Sequence, residues 1–131
     1  MELENDGATI LAANGYQTQQ NPTAEQIAQA RLATGDVGGP GSRPDYIVEG
    51  RVFECYSPKA AKPPRGIHGE VVDKVVLREQ TQRIVLNLTD WEGDMAALRK
   101  QFYDWPIEGL KEVKAITPDG DIVQIDLPPP R

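Results

Sequence analysis

Apolar residues in this chain recur in two periods, and each period marks out its own segments. A helical period runs through Glu4 to Asn14, with Ala8, Leu11 and Ala12 on one face and Ile10 beside them. It recurs from Ile67 to Gln80, through Ile67, Val71, Val75 and Leu77, and from Asp90 to Tyr103, through Met95, Leu98 and Phe102. A period of two runs through Tyr16 to Gln20 and again on either side of Glu49-Gly50, where Tyr46-Ile47-Val48 and Arg51 to Tyr56 read as a hairpin. Arg83-Ile84-Val85-Leu86-Asn87-Leu88 is nearly continuous in apolar residues, as expected of a strand buried on both faces. Val113 to Ile116 and Asp121 to Ile125 flank Pro118-Asp119-Gly120, a closing hairpin.

The punctuation supports these elements. Asn14-Gly15 is a left-handed helix stop. Asn21-Pro22 breaks the first strand, and Thr23 with Gln26 forms a capping-box pattern for a helix reaching about Ala33. Gly35 to Gly41 is glycine-rich but lacks the Gly-Lys-Ser/Thr ending of a phosphate loop, so it reads as a flexible linker. Pro58 and Pro63-Pro64 impose an irregular loop, and Trp105-Pro106 ends the last helix. The order α-β-α-ββ-α-β-α-ββ predicts an α/β (α+β) fold, a mixed central sheet flanked by helices. It forms one domain over residues 1–131, and the tail from Pro128 to Arg131 cannot pair into a sheet.

Composition changes the picture in three places. With a single cysteine, Cys55, and a single histidine, His68, the chain excludes an internal disulfide, a cysteine zinc cluster and a His-rich metal site. The acidic start, Met1 to Asp6, lacks the basic and apolar regions of a signal peptide, so export would depend on something upstream. No apolar run approaches the length of a membrane span. The net charge of −6 argues against a generic nucleic-acid binder held by bulk electrostatics. From Arg43 to Arg83, however, eight basic residues outnumber six acidic ones, which leaves room for a locally basic surface around the first hairpin.

That hairpin carries the candidate chemistry. Asp45 enters its first strand and Glu54 lies near the end of its second, and in an antiparallel pair those ends are neighbours. Two carboxylates beside basic residues can hold a divalent metal and cleave a phosphodiester. Equally, Asp45 can cap a turn and Glu54 can be a solvated strand residue. Alternation puts Val52, Glu54 and Tyr56 on one face and Phe53 and Cys55 on the other, so Glu54 and Tyr56 are expected to face a cleft. Lys59 and Arg83 are the expected charge stabilisers for phosphate oxygens.

Several segments, in their order and spacing, resemble one family. They are Glu4-Asn5, Leu11-Ala12, Gly15-Tyr16, Pro44-Asp45-Tyr46, Gly50 to Pro58, Gln80 and Arg83 to Leu88. The chain is similar to the C-terminal tRNA-nuclease toxin domains of contact-dependent growth inhibition (CdiA-type) proteins and of other polymorphic bacterial toxins. Residues 23–42 look like an insertion. The resemblance implies a PD-(D/E)xK, restriction-endonuclease-like fold, with Glu4 as the helix glutamate and Asp45 and Glu54 as the strand acids and metal ligands. The ion implied is a divalent metal, Mg2+. The lysine of the motif falls on Tyr56, and a phenol cannot replace an ammonium as a charge stabiliser. Lys59 or Arg83 would then supply the charge, or Tyr56 would position RNA by hydrogen bonding or stacking. Gln80 matches the glutamine ending the helix before the buried strand and would orient water or a phosphate. The resemblance further implies a tRNA substrate, a cognate immunity protein and action in a target cell's cytoplasm after delivery by a secreted or cell-surface toxin. A catalytically silent interaction domain on a degenerate nuclease fold and a DNA nuclease are the alternatives.

The other chemistry-bearing residues read as structural. Cys55 shares a strand face with Phe53 and is expected to be buried and inert. His68 is expected at a helix start on the surface, and Trp91, Tyr103 and Trp105 are expected to pack helices onto the core.

Overall fold

A computed structural model describes residues 2–39 and 44–128, with side chains described from Gly7 on. Its centre is a six-stranded mixed sheet in the order β1-β2-β3-β4-β5-β6. The strands are β1 (Thr18–Gln20), β2 (Tyr46–Val48), β3 (Arg51–Tyr56), β4 (Arg83–Asn87), β5 (Glu112–Ile116) and β6 (Ile122–Ile125). The β3–β4 and β4–β5 pairs are parallel and the other pairs antiparallel. Each parallel pair needs a crossover. Helix α3 (Pro64–Val72) continues into a π-helical turn, Asp73–Leu77, and supplies the first; α4 (Met95–Asp104) supplies the second.

Both crossovers cover one face of the sheet. Ile67, Val71 and Val75 pack with Leu98 and Phe102 on Ile84, Leu86, Val113, Ala115 and Ile125. Helix α1 (Glu2–Ala13) covers the other face, where Ala8 and Leu11 meet Tyr46, Val48, Phe53, Val85 and Ile116. Strand β4 is therefore buried on both sides, as its apolar run requires. Helix α2 (Ala24–Thr34) begins with the expected capping box: the Thr23 hydroxyl accepts from Gln26 N, and Gln26 Oε1 accepts from Thr23 N. It ends at Gly35 in the left-handed conformation. The mixed sheet flanked by helices is the architecture expected from the element order.

Four local expectations are corrected. The segment after Gly35 is docked rather than a free linker: the Asp36 carboxylate is buried, Val37 N donates to Gln82 Oε1, and Gly39 N donates to Glu79 O. The last helix starts at Met95, not Asp90. The Trp91 indole turns into the core and its Nε1 donates to Lys62 O at 2.7 Å, while Asp94 accepts from Ala96 N as the actual N-cap. Trp91 thus packs as expected, but Tyr103 and Trp105 stay exposed, Trp105 at 65%. The first crossover starts at Pro64, a residue suited to the first helical turn. It ends in a π turn, so Val76 and Leu77 project to solvent instead of continuing the apolar face.

Candidate active site at the first hairpin

The β2–β3 hairpin turns at Glu49 and Gly50, whose φ angles of 50° and 77° are those of a two-residue primed turn. Its register pairs Tyr46 with Phe53, and one further step brings Asp45 level with Glu54. Asp45 is fixed there by its own side chain: Oδ2 accepts Cys55 N at 2.8 Å, and its carbonyl accepts from Asn21 N. That bond ties the mouth of the hairpin shut beside Glu54, which is buried at 6% exposure. The two acids are neighbours for the reason read from the chain, and Glu54 is not a solvated strand residue.

Alternation along β3 also holds. Phe53 packs under α1 with Cys55 against it, while Tyr56 packs with the opposite, crossover-covered face. Cys55 is half-buried rather than fully buried as expected, and it is in no disulfide. The new feature is what surrounds Tyr56. Lys62 Nζ lies 6.0 Å and Lys74 Nζ 5.8 Å from the Tyr56 ring centroid, within cation–π range. The Lys62 ammonium is held above the usual lysine range, chiefly by the Tyr56 hydroxyl and then by Glu70, whose Oε1 is 3.6 Å away. Two ammonium groups therefore lie near the phenol that the resemblance set where a lysine was expected.

Arg83 is placed elsewhere. The β3–β4 register pairs Glu54 with Ile84, so Arg83 lies one residue off and on the opposite face of the sheet. There its Nε donates to Asp36 Oδ2 at 2.6 Å and its Nη1 to Glu112 Oε1 at 2.5 Å. Lys111 reaches Asp36 at 2.8 Å and Lys114 reaches Glu112 at 3.1 Å. Burial pushes both carboxyls up, but the hydrogen bonds and charges of these cations outweigh it, and both sit below the usual carboxylate range. Arg83 is an ion-network residue that pins the Asp36 segment to the sheet. Lys59 is exposed, and its side chain has no ion pair or hydrogen bond among the described residues.

Gln80 follows the π turn after a reversal at Glu79, whose φ is 52°. Its backbone is held by Lys74 O and by Arg31 Nη2, and the next residue, Thr81, donates to Val52 O of β3. Its Oε1 is buried without a hydrogen-bond partner, a costly state for an amide oxygen. Glu4 lies in α1 one turn before Gly7, but its side chain falls outside the described residues. His68 bridges helices: Nε2 is 2.8 Å from Trp105 O and the ring packs on Phe102. That is a structural role away from the acids.

A divalent cation is implied at Asp45 and Glu54. Asp45 has committed Oδ2 to Cys55 N and keeps Oδ1 available. Two carboxylates suit Mg2+, which usually takes one or two together with substrate phosphate and water. Among the described residues there is no group of three or more His, Cys, Asp and Glu that could hold a metal by itself.

The model of the contact-dependent growth inhibition CdiA C-terminal domain matches residues 42–122. The chain belongs to this family. It is 36% identical over 122 residues to the protein named tRNA nuclease CdiA-2 of Burkholderia pseudomallei (strain 1026b). That match covers 93% of this chain but 3% of that far longer protein. The fold is also similar to a solved CdiA-CT/CdiI toxin and immunity complex from Burkholderia pseudomallei, with a TM-score of 0.74 and 34% identity. This similarity covers 94% of this chain and 81% of that one.

Within this CdiA C-terminal domain, Lys62 and Lys74 are neighbours of Tyr56 that spacing along β3 did not reveal. One signal was present. Lys74 falls three residues after Val71 and Lys62 directly precedes Pro63-Pro64, so both lie on the crossover that must cover the Tyr56 face.

Proposed function

We propose that this domain is an RNase toxin that cleaves tRNA phosphodiester bonds in a target bacterium and is neutralised by a cognate immunity protein. The observation that carries the reading is the pairing of Asp45 with Glu54 across the hairpin, beside a phenol flanked by two ammonium groups. Family membership and the names of the relatives support it.

Asp45 and Glu54 would hold a divalent cation, which when bound supplies Lewis-acid polarisation of the scissile phosphate. Lys62 and Lys74 neutralise charge on the phosphate oxygens as it builds. The Tyr56 hydroxyl, with the Lys62 ammonium beside it, orients the backbone of the RNA. Gln80 Oε1 is a buried acceptor whose missing partner suits a water or a substrate hydroxyl. In hydrolysis a water oxygen adds to phosphorus, the bond to the leaving ester oxygen breaks, and that oxygen takes up a proton. The arrangement suits a PD-(D/E)xK-like site in which lysines of the β3–β4 crossover, Lys62 in its loop and Lys74 in its π turn, serve in place of the strand lysine.

The test is expression of the domain inside bacterial cells, with total RNA and genomic DNA resolved on gels. Discrete tRNA fragments that disappear in Asp45→Ala and Glu54→Ala are expected. Intact RNA with full viability overturns the reading, and degraded genomic DNA with intact tRNA redirects it to a DNA nuclease. Loss of cleavage by the purified domain in EDTA, restored by Mg2+, tests the metal.

A further inference from the structure

Next to Lys62 the surface opens into a cleft of about 250 Å³, lined by Ala61, Pro63, Pro64, Glu92 and Gly93 among others. It is smaller than the roughly 300–1,000 Å³ of sites for drug-sized ligands, which suits one planar ring system. Its frame is fixed before any ligand arrives. Trp91 Nε1 donates to Lys62 O at 2.7 Å and Glu92 N donates to Ala60 O at 3.0 Å. The two loops that form the walls are thereby bonded to each other.

Ala60, Ala61, Pro63, Pro64 and Gly93 give the cleft most of its apolar lining. A Cβ on Gly93 would stand 2.1 Å from Trp91 Cζ2, so glycine lets the chain pass close to the indole that braces the cleft. The Glu92 carboxylate is exposed at the cleft and has no hydrogen-bond partner among the described residues. Placed beside a cleft for RNA, a carboxylate repels phosphate but accepts N–H groups from a base edge.

We propose that this cleft is a nucleobase subsite that takes an unstacked guanine next to the scissile phosphate. The proposal rests on the ribonuclease reading and deepens it. Lys62 joins the two places, since its ammonium faces Tyr56 while its backbone carbonyl anchors the cleft. A phosphate held at Lys62 puts an adjoining base within reach of the cleft. The base packs on the proline faces, and its N1–H and exocyclic amino group donate to the two Glu92 oxygens. Adenine presents an acceptor at N1 and forms no such pair, so the subsite discriminates between the purines.

The experiment titrates guanosine, adenosine and uridine 5′-monophosphates into the 15N-labelled domain. Resonances of Ala61, Gly93 and the Trp91 indole N–H report occupancy. Guanosine monophosphate is expected to shift these signals with an affinity about tenfold above that of adenosine monophosphate. Glu92→Gln is expected to abolish that preference while leaving the spectrum otherwise folded. Equal affinities in the wild type, shifts confined to other regions, or a preference that survives Glu92→Gln would each overturn the proposal. The two readings fail separately: cleavage dependent on Asp45 without guanine preference removes the subsite alone. Guanine preference with RNA left intact in cells removes the ribonuclease reading alone.

Discussion

Lys74 Nζ lies 5.8 Å from the centroid of the Tyr56 ring, reaching it from the π-helical turn at Asp73–Leu77. π turns cluster at functional sites because they reset the phase of a helix over one turn. Here the reset leaves Val75 in the core and lets Val76 and Leu77 project outward. Glu70, one turn earlier, pairs with Lys62, whose ammonium lies 6.0 Å from the same ring. Both cations near Tyr56 are thus borne on the crossover rather than on the strand.

Lys74→Ala and Lys62→Ala should each lower the cleavage rate by about a hundredfold, the scale of losing one donor to a developing charge. Lys59→Ala should stay near wild type. All three should melt close to the wild-type temperature, because the one ion pair among them, Lys62–Glu70, is solvent-accessible. Single-turnover cleavage of tRNA with parallel thermal melts checks this. Equal losses at Lys59 and Lys74 would sink the assignment.

Asp45 holds the hairpin through Oδ2, while its proposed metal role falls to Oδ1, so the two roles separate by substitution. Asp45→Asn keeps an acceptor for Cys55 N but loses the charge, so cleavage should vanish while stability holds. Asp45→Ala loses both and should cost about 1–2 kcal/mol more. Denaturant unfolding of both variants, beside their cleavage assays, measures the difference.

The hairpin was legible because its determinants are local: Glu49-Gly50 sets the turn, the turn sets the register, and the register brings Asp45 to Glu54. The buried run at Ile84 to Leu86 and the Thr23 capping box were legible for the same reason. Arg83 was misread because nothing near it in sequence marks its partners. Asp36 arrives from a glycine-rich segment and Glu112 from the neighbouring strand. Lys74 was missed because a helix phase at a uniform 3.6 residues per turn does not anticipate a π turn, and Lys62 because the proline-rich loop that carries it has no periodicity to place it. The late start of the last helix, at Met95, has its own cause: Trp91 fits the helical period but uses its indole N–H to hold the Lys62 loop.

Arg83→Ala should destabilise the domain by about 3–5 kcal/mol, because it leaves two buried carboxylates short of their main partner. The same network sets the acid limit. Asp36 and Glu112 are lowered from ordinary values of 3.8 and 4.5. Groups depressed on folding contribute stability that is present above their unfolded values and lost as pH falls through the folded ones. Stability should therefore hold from neutral pH down to these ordinary values and then decline. Asp36→Asn should flatten part of that decline, as read from urea midpoints across the acid range. An unchanged acid profile in Asp36→Asn would remove the network from the account.

Gln80 gives the cleanest separation of structure from function. Its Oε1 is buried without a partner, so removing it relieves a desolvation cost instead of breaking a bond. Gln80→Leu should therefore leave the melting temperature unchanged or slightly higher, since an apolar group of similar size can replace a buried polar one at little cost. If the amide oxygen serves a water or a substrate hydroxyl at the site, the same variant should cleave tRNA at least about tenfold more slowly. A variant that is both more stable and slower is the signature of a residue retained for chemistry. One that is more stable and equally fast would return Gln80 to the packing between the π turn and β3.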